Sequence, residues 1–231
     1  MASMENVGRQ SPEQSSDPAD YGGVITPEEL RDLRSLPPSD LTDAQLVHLV
    51  QNGEEQVFDW LVTRYQDRIY NTSVRMLGDA DEALEATQEV FVKAYRGVAR
   101  FEFKSSFYTW LFQIALNYCR SRLRTYGRSG RMKMLPLDAA GDDDEPQAFS
   151  IPDDAPLPLD RLERKELAAA AEKALARLRP EFREVIILRD IDGLNYDQIA
   201  IMLDCSMGTV KSRLHRARNA LAVALRKYIE G

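Results

Sequence analysis

Residues 207–225 have the types and spacing needed to read bases in duplex DNA. Val210, Leu214, Ala217, Leu221 and Leu225 recur every three or four residues and form one apolar helical stripe. At about 100° of rotation per residue, Thr209, Ser212, His215, Arg216 and Asn219 fall on the opposite face, with Lys211, Arg213 and Arg218 at its edges. Small polar groups and one long donor at the centre can reach base edges in a major groove, while bases at the margins neutralise phosphates. A solvated basic helix is the plainer reading, and His215 alone would more often be a surface residue. The case rests on the row and on what precedes it. Asn195 caps a helix with Gln198 in the capping-box position, and Ile199, Ala200 and Leu203 mark its buried side. Asp204-Cys205-Ser206 then makes a short turn in which Ser206 can cap the next helix.

A second set of groups suits unpaired bases. Six of the 19 aromatic residues lie within twelve positions: Phe101, Phe103, Phe107, Tyr108, Trp110 and Phe112. Lys104 and the later arginines surround them, and stacking faces among cations are what single-stranded DNA binding uses. Trp110, Leu111, Ile114, Ala115 and Tyr118 also have core spacing, so most of these aromatics are expected inside. A minority, led by Tyr108 and then Phe103, is expected to face DNA. Gln113, Asn117, Arg120 and Arg124 form one stripe on the other side, and it carries no acid.

No arrangement fit for bond chemistry emerges. The two histidines lie far apart, no metal-ligand spacing or glycine-rich phosphate loop occurs, and no cofactor or metal is expected. Cys119 and Cys205 form no close pair, so both are expected to fill small positions in a reducing cytosol. No apolar run reaches the length of a membrane span, and the acidic, polar start does not resemble a secretory signal.

The elements that must position these groups are helices. Before about residue 41 the chain is rich in Ser, Pro, Gln and acids, and is expected to be mostly disordered. Thr26-Pro27-Glu28-Glu29 is an exception: a capping box predicts a short helix to about Ser35, either docking on a partner or standing as a solvated turn. A helical block covers 42–126. Thr42 and Gln45 open it, and Val57, Leu61, Tyr65 and Ile69 continue to the break at Gly78. A helix over 81–96 uses Leu84, Val90, Phe91 and Tyr95 as apolar contacts, and another runs over about 106–124. A second block spans about 159–228, and its Val185-Ile186-Ile187 run is read as buried helix despite its strand propensity. The expected fold is all-α: two small helical domains, 41–137 and 161–231, joined by an acidic flexible linker at 138–160, with 1–40 as an extension.

Charge supports this division. The whole chain carries −7, which argues against a nucleic-acid partner, but the distribution reverses that. Residues 1–40 carry eight acids and three bases, and 138–160 carry eight acids and no base. The blocks between and after them are net +2 and +4, and 104–137 hold seven bases without an acid. A DNA phosphate meets the local sign.

Two segments in the first block carry a resemblance. These are Leu84-Glu85-Ala86-Thr87-Gln88-Glu89-Val90-Phe91-Val92-Lys93-Ala94-Tyr95-Arg96, and Ser105-Ser106-Phe107-Tyr108-Thr109-Trp110-Leu111 with Ile114-Ala115 and Asn117. With Tyr196-Asp197-Gln198-Ile199-Ala200 and the run Gly208 to Arg218, they resemble the extracytoplasmic-function sigma factors over nearly all of 42–228.

That resemblance implies a transcription initiation factor with core RNA polymerase and promoter DNA as partners, and commonly an anti-sigma protein, which no residue here identifies. It implies a polymerase-binding face at Asp81, Glu85, Gln88, Glu89 and Phe91. The 102–106 loop, through Phe103, Lys104, Ser105 and Ser106 with Phe107, Tyr108 and Trp110, would capture a base flipped from the minus-ten strand. Gln113, Asn117, Arg120 and Arg124 would read the upstream part of that element. The minus-thirty-five element would be met by Tyr196, Thr209, Lys211, Ser212, Arg213, His215, Arg216 and Arg218, with Lys211, Ser212, His215 and Arg216 at base-contacting positions. Many relatives carry Arg-Gly-Asp-Ser in the capture loop where this chain has Glu102-Phe103-Lys104-Ser105, so loop conformation and base preference should differ. The acidic linker would mimic RNA in the polymerase channel, or serve only as a solubilising tether.

A dimeric, polymerase-independent helix-turn-helix regulator is the main alternative. It explains the C-terminal block but leaves the acidic helix and the aromatic segment without a role.

Overall fold

The computed structural model describes residues 25–128 and 158–229, and every described element is helical. The first block contains α1 (Pro27–Ser35), α2 (Asp43–Gln51), α3 (Phe58–Leu77), α4 (Ala80–Val98) and α5 (Phe107–Arg128). The second contains α6 (Pro158–Arg177), α7 (Pro180–Ile186), α8 (Tyr196–Leu203) and α9 (Met207–Ile229). Most of the 138–160 linker lies outside the described residues, as do the first 24 positions.

Local chemistry sets the helix starts. Thr26, Thr42 and Asn195 each accept from the backbone N–H three residues on, and Glu29, Gln45 and Gln198 return a bond to the cap backbone. Asp79 accepts from the Asp81 and Glu82 amides to start α4. Thr42→Ala should therefore cost about 1 kcal/mol, read as a lower urea midpoint at unchanged slope. Gly78 ends α3 at φ 76, in the left-handed region that a side chain would strain.

In α3, Leu61, Tyr65, Ile69, Thr72 and Met76 recur on one buried face. It packs on the small face of α4, where Ala83, Ala86, Val90 and Ala94 let the two helices approach closely. Gly97 serves the same end against α5: a Cβ there would meet the Trp110 ring at 3.0 Å. Leu111, Ala115, Leu116 and Cys119 bring α5 into this core, and burial pushes the Cys119 thiol up to about 11.

Helix α1 docks on this chain's own core, with Leu33 buried and Ile25 and Leu30 packed behind it. Of the four apolar contacts expected on α4, Val90 and Phe91 are buried but Leu84 and Tyr95 are 53% and 42% exposed. The reason is that α4 buries a face of alanines, and larger groups beside that face are turned out.

The second block packs α7, α8 and α9 around Phe182, Val185, Ile187, Leu188, Ile199, Leu203, Val210 and Leu214. The Val185-Ile186-Ile187 run is buried helix. It widens over Ile187–Ile191, where the Asp192 amide bonds back five residues to the Ile187 carbonyl at 2.8 Å.

The two blocks share one continuous core. At their junction, the buried guanidinium of Arg183 donates to the Met76 carbonyl ending α3 and to the Leu175, Ala176 and Leu178 carbonyls ending α6. It thereby supplies a donor to acceptors at two helix ends, of which the Leu175 carbonyl also accepts from the Leu178 amide at 3.1 Å.

Candidate nucleic-acid interface

In the C-terminal pair, α8 ends at Asp204, which takes the left-handed conformation (φ 49) and turns the chain into α9. Ser206 caps α9 by accepting from the Thr209 amide at 3.1 Å. Val210, Leu214 and Ala217 are buried, leaving Lys211, Ser212 and Arg216 exposed and Thr209, Arg213 and His215 partly so. Ser212 donates to the Thr209 carbonyl, and His215 Nε2 lies 3.1 Å from Asn219 Nδ2.

Two residues assigned to DNA do structural work as well. Arg218 grips Asp190 in a bidentate pair with contacts of 2.6 and 3.1 Å, which ties α9 to the widened Ile187–Ile191 segment after α7. Tyr196 is partly buried between Arg189 and Lys211, whose cations lie 5.0 and 5.8 Å from its ring.

On α4, Asp81, Glu85, Gln88 and Glu89 line an exposed face. Leu84 and Val92 share it, two apolar groups absent from the expected set, while Phe91 turns into the core at 8% exposure. Arg122 from α5 pairs with both Glu82 and Glu85, so part of this acidic face is already neutralised.

The aromatic segment is more buried than expected. Phe101, Phe107 and Phe112 are core, and Trp110 is partly buried against Phe101 and Phe107. Tyr108, expected outside, is only 8% exposed. The Arg68 guanidinium lies 4.6 Å from its ring, and the C-terminal block closes over it near Asp192. Burial raises the Tyr108 phenol well above its usual range. Phe103 turns inward against His48 and takes φ 54, the left-handed region that a bulky side chain rarely adopts. That leaves Lys104 as the exposed tip of the loop, ion-paired with Glu102, and Ser105 partly exposed beside Ser106, which caps α5.

The α5 stripe exists, but half of it is occupied by the other block. Gln113 donates to the Ile201 carbonyl at 2.9 Å, and Arg120 forms a bidentate pair with Glu184, contacts of 2.5 and 2.7 Å. Asn117 is exposed and accepts from Arg120, and Arg124 is exposed. Burial holds the Glu184 carboxyl above the usual range although Arg120 pulls the other way. The Asp192 carboxyl is likewise raised by burial. Neither Glu184 nor His48 stands out in sequence, since charged and polar residues ordinarily occupy surfaces.

The geometry defines a class: an all-helical protein whose C-terminal helix-turn-helix exposes a basic row and packs on a helical block carrying an aromatic, basic segment. Sigma-70 region 2 matches residues 61–129, and Sigma-70 region 4 matches 168–221. The RNA polymerase sigma-H factor of Pseudomonas aeruginosa is 37% identical over 183 residues, 79% of this chain and 93% of that protein. The ECF RNA polymerase sigma-E factor of Escherichia coli is 35% identical over 181 residues, 78% of this chain and 93% of its own length. A solved structure of the Bartonella quintana sigma factor RpoE with the anti-sigma factor NepR superimposes with TM-score 0.52 at 28% identity, covering 73% of this chain and 96% of that one. The fold also matches CnrH, solved with the cytosolic domain of CnrY, with TM-score 0.56 at 24% identity, covering 80% and 97%. The chain belongs to the extracytoplasmic-function group of sigma-70 family RNA polymerase sigma factors. It directs RNA polymerase to promoters and starts transcription there without itself catalysing a reaction. Among the described residues no helix is long and apolar enough to cross a membrane.

Proposed function

We propose that the 41–137 domain binds core polymerase through the exposed α4 face and captures unpaired minus-ten bases on the 102–106 loop. The 161–231 domain docks α9 in the major groove of the minus-thirty-five element, and 138–160 serves as the flexible acidic tether between them. The observation that carries this reading is the open basic row of α9: Lys211, Ser212 and Arg216 are exposed, on a helix whose opposite face is fixed in the core. Lys211, Ser212, His215 and Arg216 meet base edges; Arg213 and Thr209 meet phosphates. Tyr196 and Arg218 orient the helix.

The similar Bartonella quintana sigma factor RpoE was solved in complex with the anti-sigma factor NepR. The present chain acts in the cytoplasm and is held inactive there by an anti-sigma protein. Polymerase fixes the domain spacing and performs nucleotidyl transfer, and the cost of unstacking, a few kcal/mol per step, is offset by stacking and pocket contacts.

Run-off transcription with core polymerase on a promoter library tests the reading. Arg216→Ala should weaken selection of the upstream element by about 1–3 kcal/mol per lost base contact. An unchanged preference there would remove Arg216 from the reading set. Failure of the chain to co-elute with core polymerase would remove the α4 assignment.

A further inference from the structure

The loop at 102–106 is shaped from a helix to which neither the sequence nor the family roles draw attention. On α2, His48 and Gln51 stand three residues apart and so share a face. The His48 ring stacks on Phe103 with centroids 4.2 Å apart and planes 20° from parallel. Phe103 also meets Phe101 edge-on at 5.0 Å. Gln51 Nε2 donates both to the Val98 carbonyl at the end of α4, 2.8 Å, and to the Phe101 carbonyl, 2.9 Å. Two side chains of α2 therefore fasten the chain just before the loop and one residue within it.

The backbone gives the fastening its consequence. Phe103 has φ 54, a conformation that a bulky residue holds only when its surroundings over-determine it. The ring is that surrounding: pinned between His48 and Phe101, it keeps the backbone in the left-handed region. The residues on either side then point outward, and Glu102 and Lys104 pair across the turn. Ser106, two residues further on, begins α5 by capping the Thr109 amide. The loop is thus held at the α4 end by Gln51, at its middle by the stack and at its far end by a helix cap.

We propose that His48 and Gln51 are positioning residues which, through Phe103, set the shape of the 102–106 loop and hence its selectivity for the captured base. The inference rests on the assignment of this loop to the minus-ten strand. Phe103 acts as an inward prop, and Lys104 and Ser105 are presented to the base. Selectivity is then set from α2 by the angle at which those two residues are held.

The test uses holoenzyme reconstituted from the full chain and core polymerase, on promoters randomised through the minus-ten element, with open complexes recovered and sequenced. His48→Ala should relax the preference at the captured position by about tenfold, the order of one base-stacking contact. In a parallel library randomised through the minus-thirty-five element, the preference should stay unchanged. His48→Phe keeps a stacking ring and should restore the wild-type profile, a rescue that a general loss of stability would not show. Phe103→Gly permits the same φ without the ring and should relax the same position. A wild-type profile for both His48→Ala and Phe103→Gly overturns the proposal. Should His48→Ala fail to fold, the Gln51→Leu and Phe103→Gly profiles decide it by the same criterion. Lys104→Ala and Ser105→Ala separate the two layers: if they too leave the minus-ten profile unchanged, the loop assignment itself falls.

Discussion

Arg183→Ala is expected to lower folding stability by about 3–5 kcal/mol, since several buried carbonyls lose their charged donor at about 1–3 kcal/mol each. Arg183 is fully buried, and its donors reach four backbone carbonyls at the ends of two helices from different blocks. Removing it takes the donor from the Met76, Ala176 and Leu178 carbonyls, while Leu175 keeps the Leu178 amide, and an unmet buried carbonyl costs about 1–3 kcal/mol unless water enters. Burial pushes the guanidinium down to about 10, so it stays charged at neutral pH, but desolvation outweighs the nearby Glu184. Its contribution therefore lies in satisfying carbonyls and not in charge attraction. Arg183→Lys should recover only part of the loss, because a single ammonium cannot replace a planar fork with three engaged nitrogens. Urea unfolding reads the result, and a loss under about 1 kcal/mol would mean that water substitutes for the side chain.

How much of this was legible in the sequence depends on how local each cause is. The caps at Thr26, Thr42, Asn195 and Ser206 were readable because cap and partner lie three residues apart. The α9 stripe was readable because Val210, Leu214 and Ala217 mark its buried face without tertiary help. On α4 the pattern misled. Leu84 and Tyr95 read as core, but the inner face is built of alanine and valine to meet α3, and the larger groups were left outside. Tyr108 was expected outside and lies under Arg68 and the second block. Arg183 and Met76 are 107 residues apart, and Arg120 and Glu184 are 64 apart. A buried charge in a sequence looks like a surface charge until its distant partner is known. The stack of His48 on Phe103 escaped for the same reason: ring pairing across 55 positions leaves no periodicity. The left-handed backbone of Phe103 has no local signal either, since a bulky residue there depends on that distant ring.

The second large effect concerns the contact that covers the α5 stripe. Arg120→Ala leaves Glu184, whose side chain is 1% exposed, without its bidentate partner at the junction of α5 and α7. Arg213 remains as a nearby cation, but Glu181 opposes it. Breaking a buried pair from one side costs about 3–5 kcal/mol, and parting the blocks relieves the cost by returning the carboxylate to water. The Tyr108 hydroxyl and Asp192 Oδ2 are also buried near this junction, with no hydrogen-bond partner among the described residues. Arg120→Ala should therefore open the chain, seen as a larger radius of gyration by small-angle scattering, whereas Arg124→Ala should not. The pH dependence has a defined sign. Burial raises both Glu184 and Asp192, the latter facing Arg68, Arg75 and the Tyr108 ring, so the closed form binds more protons than the open one. Closure is then favoured at and below the ordinary carboxylate range and weakens as pH rises through the raised values. Acidification should re-close Arg120→Ala, and further opening on acidification would contradict the argument. Glu184→Ala gives the functional reading. It frees Arg120, 27% exposed, at little desolvation cost, and keeps every residue of the proposed minus-ten stripe. The free factor should then bind minus-ten single strands more tightly than wild type, while Arg120→Ala, open but missing one reader, should gain less.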